Sequence, residues 1–232
     1  TRWPLYLIIG LIITFIAFTV PLPYYIEVPG TSEDIRKVLQ VNNQPDQEEG
    51  SYQFVTVGVK HARMVDLFYA WLTPFTDIHS AKEMTGGSSD TEFMRINQFY
   101  METSQNMAKY QGLKAAGKEI ELKYLGVYVL TVTDNSTFKG ILNIADTVTA
   151  VNDKTFESSK EMVDYVNSQT LGDKVKVTYQ EDGKVKTAEG KIITLENGKN
   201  GIGIGLIDRT EVSSDVPIKF STAGIGGPSA GM

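Results

Sequence analysis

Near its end the chain carries a serine set among small residues. Gly224-Ile225-Gly226-Gly227-Pro228-Ser229-Ala230-Gly231-Met232 follows the alternating run Val216-Pro217-Ile218-Lys219-Phe220. Glycines let a backbone approach a ligand closely and reach positive φ without a steric penalty. Small neighbours also leave N–H groups open to a developing oxyanion. In such a loop the Ser229 hydroxyl is a candidate nucleophile, provided a nearby group takes its proton. Gly226, Gly227 and Ala230 are the candidate oxyanion-loop residues, whereas Pro228 has no N–H to give. The spacing Gly227-x-Ser229-x-Gly231 also fits a nucleophile elbow on a sharp strand-to-helix turn. A phosphate loop would need Gly-Lys-[Ser/Thr], which is missing here.

The two histidines, His61 and His79, lie eighteen residues apart with no acidic cluster at ligand spacing. They make a poor metal site, and no metal or other cofactor is expected. Either could act as general base in a His…Asp…Ser order, although a lone histidine is more often structural. The absence of cysteine removes disulfides, thiolate chemistry and cysteine metal sites together. A net charge of −6 with no basic tract argues against nucleic acid as a partner. Length, 41% hydrophobic and 22% charged residues suit one or two domains with real cores.

The elements that must position these groups begin with 24 uncharged residues, Trp3 to Ile26, in which Leu5 to Val20 is nearly all Leu, Ile, Phe and Val. About 20 such residues cross a bilayer as a helix. Trp3 and Tyr6 on one side, Tyr24 and Tyr25 on the other, stand as interfacial aromatics. We read residues 1–23 as a single-pass anchor with the lipid bilayer as partner through Leu5 to Val20. A cleaved signal peptide is the rival, but Pro21-Leu22-Pro23 follows the run where a small-x-small site would be needed. Charge does not set the orientation, since Arg2 precedes the span and Arg36 and Lys37 follow it.

Tyr24 to Gly30 reads as a short strand ending in a Pro-Gly turn. Asn42 to Gly50 is a polar loop, and Phe54 to Val59 is a strand. Ala62 to Leu72 has helical spacing and Pro74 ends it. Ser89 with Glu92 forms a capping box for a helix reaching Ala116. Its stripe is Phe93, Ile96, Tyr100, Thr103, Met107 and Tyr110. Tyr124 to Val132 and Ile144 to Asp153 are strands. Ser158 with Glu161 caps a second helix. Lys174 to Tyr179 turns through Glu181-Asp182-Gly183 into Lys184 to Glu189. Ile202 to Ile207 is a strand punctuated by glycines, where missing side chains suit close backbone approach.

From roughly 119 to 195 this order resembles a PDZ domain. The matching positions are Tyr124-Leu125-Gly126-Val127 for the carboxylate-binding loop, the strand Asp146 to Asn152, and the helix Ser159 to Asn167. The resemblance implies capture of extended peptide ends by strand addition. Tyr-Leu-Gly-Val departs from the common Gly-Leu-Gly-Phe and leaves the ligand preference open. Residues 221–232, Ser-Thr-Ala-Gly-Ile-Gly-Gly-Pro-Ser-Ala-Gly-Met, resemble the nucleophile segment of Lon-type serine proteases, whose hallmark is Pro-Ser-Ala-Gly.

Anchor, PDZ-like module and Lon-like serine together resemble the membrane-anchored, PDZ-containing Lon-type proteases of Gram-positive bacteria, the SepM-like group. The resemblance includes Tyr25-Ile26-Glu27-Val28-Pro29-Gly30. It implies an α+β fold: an N-terminal transmembrane helix, then a Lon-type protease domain split by the inserted PDZ-like domain. The expected boundaries are 1–23, 24–118, 119–198 and 199–232. It further implies ATP-independent hydrolysis of extracytoplasmic peptides or proteins, including the trimming of signalling peptides. Ser229 would pair with a lysine some tens of residues further on. Only three residues follow Ser229 in this sequence, so it is expected to be inactive as written. An α/β-hydrolase-type esterase, needing an acid and a histidine after Ser229, and a membrane-tethered peptide-binding adaptor are the alternatives.

Overall fold

Residues 2–222 and 224–227 are described by the computed structural model of the chain. In chain order the elements are α1 (Trp3–Thr19), β1 (Pro21–Asp34), α2 (Ile35–Val38), β2 (Leu39–Val41), β3 (Gln53–Arg63), α3 (Met64–Leu72), β4 (Asp77–Ser80), α4 (Ala81–Thr85) and α5 (Asp90–Ala115). Then follow β5 (Glu121–Val132), β6 (Thr147–Val151), α6 (Ser159–Asn167), β7 (Lys174–Glu181), β8 (Lys184–Lys191), β9 (Ile193–Thr194), β10 (Asn200–Gly201), β11 (Ile204–Ser213) and β12 (Ile218–Phe220). Helix and strand are thus mixed. Two compact units divide the chain, Thr1–Gln40 with Gln44–Phe93, and Val41–Asn43 with Met94–Met232. The division falls inside α5 rather than near Lys118.

In the first unit, the apolar run forms a helix shorter than the expected anchor. α1 spans 17 residues and none of them is buried. Pro21 and Pro23 cannot continue it, so the backbone turns extended and β1 starts at Pro21. No helix among the described residues is long and apolar enough to cross a membrane. The expectation of a transmembrane helix over 1–23 is corrected to that extent.

β1 is the middle of a three-stranded sheet ordered β3-β1-β4. It pairs Tyr25 with His61 and Glu27 with Val59 on one side, and Ile26 with Ile78 on the other. Pro29-Gly30 does not turn the chain as the sequence suggested. The strand runs through it with a break in register between Pro29 and Ser32. α3 starts at Met64 rather than Ala62, because Ala62 is buried at the end of β3. Asp66 accepts the Arg63 N–H at 2.9 Å and the Lys60 ammonium at 2.7 Å. Burial pushes its carboxyl up, but these two partners together hold it below the ordinary range. Ser89 and Glu92 cap α5 reciprocally, as their spacing predicts.

The second unit is built on an antiparallel sheet ordered β11-β5-β6-β7-β8. Asp182 (φ 48°) and Gly183 (φ 77°) form the mirror-image turn that suits the twist of the β7–β8 hairpin. β8 is the outer strand and carries Lys184, Lys186 and Lys191. Val127 and Val129 of β5, Val148 and Val151 of β6 and Val175 and Val177 of β7 pack with Met162 and Val166 of α6, and with Phe138, Leu142 and Ile192, into one core. The buried residues of α5 are Phe99, Met101 and Leu113. The predicted stripe is half-buried except at Met107, and the fully buried residues lie beside it. Phe99 stacks on Tyr128 with ring centroids 3.7 Å apart, while Met107 of the stripe is exposed.

Candidate functional site

The run predicted to hold a peptide terminus, Tyr124-Leu125-Gly126-Val127, lies within β5 and is strand rather than loop. Gly126 is the position that only glycine suits. Its φ is 134°, and a Cβ there would stand 2.3 Å from the Val148 carbonyl oxygen. That close approach is what lets β6 lie beside β5 at Val127–Val148. The other edge of β5 is covered along its length by β11, from Ile204 opposite Val132 to Ser213 opposite Glu121. Asp208 faces Val127, Arg209 faces Gly126 and Thr210 faces Tyr124.

Helix α6 lies beside this edge. Its N-cap Ser158 accepts the Glu161 N–H at 3.2 Å. The reciprocal bond of the predicted box lands one residue earlier, from the Glu157 N–H to the Glu161 carboxylate at 3.0 Å. Ser159, the first residue of α6, donates its N–H to the Asp208 carboxylate at 3.0 Å. An acid at a helix N-terminus satisfies an otherwise orphaned donor and meets the positive end of the helix. Burial, then the charges of Asp208 and Glu161, push the Tyr124 hydroxyl up to about 12. Arg209 reaches across to β6, its Nη1 donating to Thr147 Oγ1 at 2.6 Å. β5 thus lies between β6 and β11, with the capped N-terminus of α6 bonded to β11 through Asp208.

A family described as PDZ domain matches residues 98–192. The PDZ domain of the SdrC-like protein of Listeria monocytogenes is 35% identical. The match covers 38% of this chain and 93% of that one, with a TM-score of 0.36. The chain is a PDZ-domain protein. The PDZ domain of the SdrC-like protein of Listeria innocua is 38% identical over 35% of this chain and 92% of that one, TM-score 0.34. A solution structure from Geobacillus thermodenitrificans is 30% identical over 34% and 94%, TM-score 0.32. No curated protein matches the chain. The family match starts at Gln98, inside α5, well before the expected 119. It includes Phe99, whose ring lies on Tyr128 of the PDZ sheet.

Ser229 and Ala230 lie outside the described residues. Gly226 is exposed and Gly227 is buried with φ 91°. The Gly227 N–H donates to the Asn97 carbonyl at 2.8 Å. His61 Nε2 lies 2.6 Å from Asp90, which also accepts the Tyr25 hydroxyl. These two bonds hold the Asp90 carboxyl below its ordinary range. Burial, then Asp90, push Tyr25 up to about 12. The group ties the first turn of α5 to β1 and β3, which is a structural task. His79 meets Glu27 at 3.5 Å. Among the described residues no group of three His, Asp or Glu side chains could hold a metal ion.

What sequence reasoning missed is β11 as part of the PDZ sheet, with Asp208 as partner of α6. A signal existed. Gly203 has φ 74° and a Cβ there would stand 2.6 Å from the Thr133 hydroxyl, while one at Gly205 would stand 2.3 Å from that of Thr131.

Proposed function

We propose that the PDZ domain selects extended peptides for a serine endopeptidase of the same protein, with Ser229 as nucleophile and α1 as its anchor in the cell membrane. The observation that carries the reading is the string Gly226-Gly227-Pro228-Ser229-Ala230-Gly231, a serine in a glycine-rich bend that resembles the Lon-type nucleophile segment. Positive φ at Gly224 and Gly227 supports a bend that few other sequences allow. The Ser229 hydroxyl attacks the scissile carbonyl, a lysine amine takes its proton, and that proton passes to the leaving amine as the acyl-enzyme forms. Water then hydrolyses the ester. Such a lysine must have its pKa lowered from about 10.4 by desolvation or a neighbouring charge.

Anchoring is supported by α1, which is apolar on every side with no buried residue. A helix of that kind needs apolar surroundings. Its 17 residues sit at the short end of the roughly 17–25 that span a bilayer. The soluble part then faces the extracytoplasmic side and takes secreted peptides or proteins, a signalling peptide being one such substrate. The test is hydrolysis of fluorogenic peptides by the whole protein in its native membrane. Ser229→Ala is expected to abolish turnover while leaving peptide binding unchanged. Undiminished hydrolysis by that variant would refute the reading. No hydrolysis by either form, with binding intact, would favour the adaptor, in which the PDZ domain does all the work.

A further inference from the structure

The edge of β5 that carries Tyr124–Val127 is filled by the chain itself. PDZ domains take a ligand by adding its backbone as a strand to an open sheet edge. Here β11 already holds that place, antiparallel along β5. We infer that β11 is an internal ligand of the PDZ domain, and that a peptide gains the site by displacing it. This rests on the peptide-binding reading above.

Three observations carry the inference. First, β11 is held on β5 by a backbone ladder and not by burial. None of its residues is fully buried, and its ladder with β5 breaks register twice, between Gly205 and Leu206 and between Arg209 and Thr210. Second, the PDZ core is composed without it. From β11 only Ile204 and Leu206 pack against that core, from outside. Removing β11 therefore uncovers an edge and two apolar seats but leaves the core residues in contact. Third, the tethers are of the kind a peptide can replace. They are a main-chain ladder, an Asn106 amide bond to the Thr210 carbonyl, a carboxylate on the α6 N-terminus and a guanidinium on Thr147.

The same contacts describe the ligand. Ile204 and Leu206 pack on the same core, and Asp208, two residues on, bonds the start of α6. The peptide that displaces β11 is extended, with the pattern apolar-x-apolar-x-acidic. Its two apolar side chains occupy the seats of Ile204 and Leu206, and its acid caps Ser159. A segment tethered to its own site competes at high effective concentration, which keeps the apparent affinity of any incoming peptide low. Access to the site is thereby governed by whatever frees residues 204–213.

The experiment clamps and releases β11 in the whole chain. Glu211 stands opposite Lys123 and both are exposed, and the sequence has no cysteine of its own. Lys123→Cys with Glu211→Cys therefore gives one protein that can be locked by oxidation and freed by reduction. The probe is a fluorescein-labelled synthetic peptide copying residues 203–213, followed by anisotropy. The oxidised form is expected to bind it at least tenfold more weakly than the reduced form. Leu206→Asp, which ejects β11 from its apolar seat, is expected to bind at least tenfold more tightly than the unaltered chain. The probe with Asp208→Lys should bind all forms more weakly. Equal affinity of locked and freed forms would overturn the inference while leaving peptide binding standing. Failure of the pair to oxidise would overturn it too, since the ladder sets the two residues face to face. If no form binds the probe, Leu206→Asp included, the peptide-binding reading falls instead.

Discussion

The two larger sheets of this protein treat the same kind of sequence in opposite ways. In the PDZ sheet, Val127, Val129, Val148, Val175 and Val177 are all essentially buried. In β3 the alternating Val55, Val57 and Val59 face outward, 74%, 62% and 40% exposed. α3 is similar, with Phe68 and Trp71 exposed and Phe75 beyond it 87% exposed. Alternation of apolar residues marks a strand in both places. What differs is the covering layer: α6 and the Phe138–Leu142 segment close over the PDZ sheet, whereas the first unit buries little beyond Tyr25, Ile26 and Ala62. Most apolar burial therefore belongs to the PDZ domain, and stability should follow it.

The comparison can be broken most directly in the cores. Phe138→Ala is expected to destabilise the PDZ domain by about 3–5 kcal/mol, the usual loss for a fully buried ring. Val57→Ala should stay within about 0.5 kcal/mol, as exposed substitutions do. Urea unfolding of both variants would measure this, and similar losses would erase the distinction. Gly126→Ala comes next, of order 1–3 kcal/mol, since it places a side chain at φ 134° and against the Val148 backbone. An unchanged midpoint would mean that β6 can move away from β5. Ser158→Ala should cost about 1 kcal/mol by uncapping α6. In addition, hydrogen exchange in the first turns of that helix should quicken.

The smallest effect depends on pH. Asp146 is buried and accepts the Asn143 N–H at 2.8 Å. Burial outweighs that bond and pushes its carboxyl up. A raised folded pKa means the stability contribution is complete below the unfolded value of about 3.9 and is lost as pH rises through the folded value. Asp146→Asn keeps an acceptor oxygen and removes that loss. Relative to the native chain the variant should therefore gain stability between acid and neutral pH, with no difference below the carboxylate range. Thermal unfolding across that range checks it, and a pH-independent difference would show that the acid is not strained by burial.

Local chemistry was legible in the sequence, and distant pairing was not. The caps at Ser89 and Ser158 and the Asp182-Gly183 turn depend on neighbours within a few residues, and all appear near where their spacing puts them, the Glu161 bond alone falling one residue early on Glu157. The order of elements from Tyr124 to Glu189 was likewise enough to suggest the PDZ domain. β11 escaped notice as a PDZ strand because its partner on β5 lies about eighty residues earlier in the chain. Only the glycines at 203 and 205 hinted at close approach. The α5 stripe left out Phe99 because that ring is selected by Tyr128, a residue that helical periodicity cannot see. Pro21 and Pro23 stood in plain view, and they end α1 four residues before the expected limit of the anchor.

The far rim of the PDZ sheet has its own consequence. β8 leaves backbone groups on its outer edge where a foreign strand could dock, although Thr137 already bonds Lys191 there; Lys184 and Lys191 add ammonium groups, beside the Lys186–Glu181 pair. Stacking a second copy there would crowd like charges and strip their hydration, so the sheet resists growing into fibrils. At high protein concentration, solubility at this rim should therefore depend on the positive charge those lysines carry.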